Sequence, residues 1–109
     1  MPKTQEEKIQ ELQIIEQNFQ TLLLQKQKFQ AQLLEISNAI SELKISGKKE
    51  AYKIIGTIMV ESDKENLITD LSSQKEILEL RIKNIEKQEN LVKDKEEKLQ
   101  SDIMKDIKK

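Results

Sequence analysis

From Leu12 onward the apolar residues of this chain alternate at spacings of three and four: Leu12, Ile15, Phe19 and Leu22, then Lys26, Phe29, Leu33, Ile36, Ile40 and Leu43. Nine of these ten positions are apolar. A heptad pattern held this long, with no Pro or Gly after Pro2 until Gly47, predicts a long α-helix that buries one narrow stripe against a partner helix. The pattern returns at Ile68 and runs through Leu71, Lys75, Leu78, Ile82, Ile85, Glu89, Val92, Glu96, Leu99 and Ile103, with eight of eleven positions apolar. Ser62 or Asp63 is placed to cap the start of this second helix. At the α-helical rise, each helix is roughly 50 to 60 Å long.

The two stripes fit one another. A single antiparallel register sets Leu12 opposite Leu99, Phe19 opposite Val92, Phe29 opposite Ile82, Leu33 opposite Leu78, Ile40 opposite Leu71 and Leu43 opposite Ile68. The fold point of that register is Ile55–Gly56. Four charged residues interrupt the seam: Lys26 would face Ile85, Glu89 would face Leu22, Lys75 would face Ile36, and Glu96 would face Ile15. Their stems are expected to lie on the seam with the charged heads in water, which costs stability and fixes register.

Composition agrees with a seam in place of a thick core. Apolar residues make up 36% of the 109 and charged residues another 36%, and the only aromatics are Phe19, Phe29 and Tyr52. With no Cys and no His, a disulfide framework, a thiolate zinc site, an imidazole base and a cysteine nucleophile are excluded. No phosphate loop or metal-ligand spacing appears, and the many acids sit on solvated helix faces, so neither an enzyme nor a cofactor is expected. A net charge of −1 provides no basic field for nucleic acid or anionic lipid. No apolar run approaches a membrane span and the start MPKTQEEK lacks the apolar core of a signal peptide, so the expected location is the cytoplasm.

Between Leu43 and Leu67 lie 23 residues, far more than a helix-to-helix turn needs. KISGKKE ends the first helix, with Gly47 available for a left-handed cap. AYKII and TIMVES, separated by Gly56, then read as a β-hairpin, with Gly56 in the turn or in a bulge beside it. Alternation puts Tyr52 and Ile54 on one face and Ile55 on the other, with Ile58 and Val60 opposing Met59. Both faces are apolar, both edges are open, and a lone hairpin is marginal in water, so the hairpin is expected to join others and to close into a barrel. The expected architecture is mainly α: one domain over residues 1–109, with a helix over about 5–46, a hairpin over about 51–62 and a helix over about 64–107, the helices forming a long antiparallel coiled coil.

Helix, hairpin with YKIIGTIMV, then helix resembles the β-type subunits of the prefoldin family. The most specific positions are Tyr52, Lys53 and Gly56, followed by Ile58, Met59 and Val60, with LELRIKNIEKQE downstream. One hairpin, where α-type subunits carry two, points to the β type. The resemblance implies a hexamer of two α and four β subunits. It also implies an ATP-independent holdase that captures non-native client proteins between coil tips and passes them to a group II chaperonin. Compatible with that, Ile9, Ile14, Met104 and Ile107 fall off the seam near the helix ends, and Ile103 would face Lys8. These five are the expected client-binding residues; Tyr52, Ile54, Ile55, Gly56, Ile58, Met59 and Val60 are the expected oligomerisation hairpin. Farther along, Leu23, Leu24, Ile77, Leu80 and Leu91 are also off the seam. The rival readings are a coiled-coil spacer joined through its hairpin and, against the interleaved acids, a nucleic-acid clamp.

Overall fold

The computed structural model describes residues 4–108. Its elements are α1 (Gln5–Ile45), β1 (Glu50–Ile55), β2 (Ile58–Asp63) and α2 (Lys64–Lys108): two long helices joined by a single antiparallel hairpin. Helix α1 begins with a cap of its own. Thr4 Oγ1 accepts a hydrogen bond from the Glu7 N–H at 3.2 Å, and the Lys8 N–H donates to the Thr4 carbonyl at 3.0 Å. Thr4 and Glu7 have the spacing of a capping box.

The burial pattern follows the heptads. All ten seam positions of α1 and all eleven of α2 are buried or half-buried. Outside them, α2 shields only Lys64 and Leu67. No described side chain is fully buried, as expected where two helices share one stripe. The chain divides into two compact units, one of residues Phe29–Ile82 and the other of the residues up to Lys28 with those from Lys83 onward. We call them the hairpin unit and the terminal unit.

In the hairpin unit Ile40, Leu67, Leu78 and Ile82 are buried. The Arg81 guanidinium lies over the Phe29 ring, 5.7 Å from its centroid, a cation–π contact at the rim of the seam. The end of α1 departs from the expectation for Gly47, whose φ is not positive. The helix closes without a left-handed cap: the Ser46 N–H donates to the Glu42 carbonyl at 3.0 Å, and Lys64 Nζ donates to the Ser46 carbonyl at 2.7 Å. A cation from the start of α2 thus satisfies a carbonyl at the negative end of α1. The Lys64 N–H donates to the Lys49 carbonyl at 3.0 Å, tying α2 to the segment that leads into β1.

In the terminal unit Ile85 and Glu89 are buried. Glu89 corrects the expectation of wet charged heads: Lys26 Nζ donates to Glu89 Oε1 at 2.8 Å, and the Glu89 side chain is only 9% exposed. The two residues occupy adjacent seam layers, so each long side chain reaches diagonally to the other and not to Ile85 or Leu22. Leu23 also departs from expectation, being half-buried on the flank of the seam.

Candidate functional site

Two surfaces carry exposed apolar side chains where the sequence places candidate function. The first is the hairpin. Its register pairs Tyr52 with Glu61, Lys53 with Val60, Ile54 with Met59 and Ile55 with Ile58. Gly56 has φ 62, and no non-glycine residue has positive φ, so Gly56 and Thr57 form a two-residue turn of the type II′ pattern. Gly56 therefore belongs to the turn and not to a bulge. A side chain at this φ would be strained, although open space surrounds the position.

Tyr52, Ile54, Ile55, Ile58, Met59 and Val60 are all exposed, Ile54 at 70%. Three of them lie on each face: Tyr52, Ile54 and Met59 on one, Ile55, Ile58 and Val60 on the other. Neither helix covers either face. Burying a large apolar side chain is worth about 1.5 to 3 kcal/mol, so six bare ones on a two-stranded sheet with open edges are a strong drive toward association.

Toward the helices the Tyr52 face becomes acidic, with Glu50, Glu61 and Asp63. Glu50 and Glu61 are diagonal neighbours across the strands. A hydrogen bond between their carboxyls, reinforced by the negative charge of Glu61 and by slight desolvation, holds Glu50 above its ordinary value of 4.5.

The second surface lies in the terminal unit. Ile9, Ile14, Met104 and Ile107 are exposed, and Ile103 is half-buried in the seam. On the heptad wheel Ile9, Met104 and Ile107 share one flank of the seam, whereas Ile14 lies on the other. The sequence-level set of five therefore separates into three flank residues, one on the opposite flank and one in the seam. Lys8 does not simply face Ile103. Its ammonium donates to Asp106 Oδ2 at 2.6 Å, and that hydrogen bond raises the Lys8 pKa, opposed by desolvation and helped by the charges of Asp106 and Asp102. A shallow groove beside this seam is lined by Ile15 and Leu99 together with Lys8, Lys95, Lys98 and Asp102. Its lining combines two apolar seam residues with charges of both signs, so it offers no uniformly basic surface to a polyanion.

Among the described residues no group of acids stands where it could hold a metal ion, and no helix is long and apolar enough to cross a membrane. Leu24, Ile77, Leu80 and Leu91 are exposed along the helices.

Comparison with known proteins places this architecture. The family model described as prefoldin subunit matches residues 6–109. The prefoldin subunit beta of Methanospirillum hungatei is 37% identical over 107 residues, covering 97% of this chain and 88% of that protein. The prefoldin subunit beta of Pyrobaculum calidifontis is 34% identical over 91 residues, covering 83% and 73%. Among solved structures, the prefoldin beta subunit from Thermococcus strain KS-1 superposes with a TM-score of 0.88 at 28% identity, covering 95% of this chain and 92% of that one.

Proposed function

This chain belongs to the prefoldin family of chaperone subunits, and from that premise we propose that it is a β-type subunit that assembles through its hairpin and holds non-native polypeptides at its terminal unit. The assembly is a cytoplasmic hexamer of two α-type and four β-type subunits with the hairpins closed into a barrel. Clients are held without ATP and passed to a group II chaperonin.

The observation that carries this reading is the bare hairpin. Six large apolar side chains on two uncovered faces and two unpaired edges make a poor surface for a monomer and a complete one for a barrel, where edges vanish and one face turns inward. Holding clients draws on the flank of Ile9, Met104 and Ile107, where unbranched Met104 can adapt to many partners. Neither role requires a cofactor or a catalytic group.

The test has two parts. Native mass is measured for the chain alone and after mixing with an α-type subunit, with Ile58→Lys as the control that removes assembly while circular dichroism still reports the helices. The assembled protein is then added without nucleotide to a denatured protein diluted from denaturant, and light scattering is followed. Suppressed aggregation that falls when Ile9, Met104 and Ile107 are changed to Ser, in particles of unchanged mass, is the expected result. Full suppression by that triple variant contradicts the client assignment. A mass unchanged by Ile58→Lys contradicts the assembly assignment.

A further inference from the structure

The two faces of the hairpin differ in charge as well as in shape. Beside Tyr52, Ile54 and Met59, the first face carries Glu50, Glu61 and Asp63 at its helix end; the second carries one charge, Lys53. Glu50 and Glu61 are exposed and contact one another through their carboxyls. Lys64, next in sequence to Asp63, donates its ammonium to the Ser46 carbonyl.

Geometry then limits what can lie alongside. If all subunits send their helices out of one side of the assembly, every hairpin has its helix end at the same height. A neighbouring strand that extends the sheet keeps its side chains on the same two faces, so residues at the height of Glu50 meet residues at that height. A second copy joined β1 to β2 would add its own Glu50, Glu61 and Asp63 to the row. Like charges so placed destabilise strand pairing and suppress wrong partners.

We propose that this acidic row selects the edge partner. The hairpin accepts a strand from a different chain that presents Lys or Arg at the height of Glu50 and Glu61 on the face continuous with Tyr52, and it disfavours a second copy of itself. Arg fits best, because its planar fork can bridge two carboxylates. This selection rests on the hairpin-assembly reading above and adds the chemistry of the chosen partner to it.

The experiment uses this chain alone, in a charge swap. Wild type, E50Q/E61Q, E50K/E61K and a mixture of wild type with E50K/E61K are compared by native mass and sedimentation across concentration, with circular dichroism confirming that the helices form. Mixed oligomers are expected at a concentration about tenfold or more below that needed by wild type or E50K/E61K alone, with the preference erased by 1 M salt. E50Q/E61Q is expected to self-associate more readily than wild type. A mixture that associates no better than wild type alone overturns the inference. If Ile58→Lys nevertheless dissociates the oligomers that do form, hairpin assembly stands and only charge selection falls; if no combination associates at any concentration, both fall.

Discussion

The hairpin unit buries Ile40, Leu67, Leu78 and Ile82, whereas the terminal unit buries Ile85 and an acid, Glu89. Both use the same heptad spacing. The difference lies in what occupies it: Lys75 is the one charged seam position of the hairpin unit, while Lys26, Glu89 and Glu96 interrupt the terminal unit. A seam of Ile and Leu is stabilised by burial along its whole length. One with charged layers stabilises less and specifies more, because a slipped register separates Lys26 from Glu89 and leaves a carboxylate in the seam without its partner. The more apolar seam thus adjoins the exposed hairpin in sequence, and the seam with more charged layers adjoins the exposed Ile9, Met104 and Ile107.

The contrast breaks most visibly at the ion pair. Glu89→Ala is expected to cost about 3 kcal/mol, because it strands Lys26 beside the seam, and to lower the thermal midpoint accordingly. Replacing both Lys26 and Glu89 by Leu is expected to leave stability unchanged or raised, because a matched apolar pair needs no desolvated charges. A double variant as unstable as the single one would show that the pair contributes more than mutual compensation.

Next come the apolar layers. Leu78→Ala should cost about 2 to 3 kcal/mol, near the low end for a buried Leu because the seam is thin enough to collapse. Leu99→Ala, at a half-buried layer of the terminal unit, should cost about 1 kcal/mol. Chemical denaturation of the two variants compares the units directly, and equal losses would remove the distinction between them.

The smallest effect is electrostatic. Glu50 is held above 4.5 in the folded hairpin, chiefly by its hydrogen bond to Glu61. A carboxyl raised on folding contributes stability that is fully present below the unfolded value and is lost as pH rises through the folded one. Amide exchange in the hairpin should therefore show protection declining as pH rises above about 4.5, after correction for intrinsic exchange rates. Glu61→Gln should flatten that decline.

Much of this was legible in the residues. The ten heptad positions of α1 and eleven of α2 are all shielded, since a period of 3.5 has one face to bury, but the pattern missed Leu67, which is buried just before the α2 series begins. The hairpin was legible from AYKII and TIMVES, and its turn became definite only with the φ of Gly56, because a lone Gly serves a turn or a bulge equally well. The Lys26–Glu89 pair was missed for a physical reason: matching partners within layers ignores that long side chains reach the adjacent layer. The Glu50–Glu61 contact needed the strand register, which the turn decides. Thr4 and Glu7 were a readable capping box that the apolar pattern, beginning later in the chain, drew attention away from.

Division of labour between the two units is tested most directly by hydrogen exchange on the assembled protein with and without a permanently unfolded, reduced client. Added protection is expected in the peptides spanning residues 5–15 and 99–108, with the hairpin at 50–63 already protected by assembly and unchanged by the client. Client-induced protection in the hairpin, with none near Ile9, Met104 and Ile107, would contradict it.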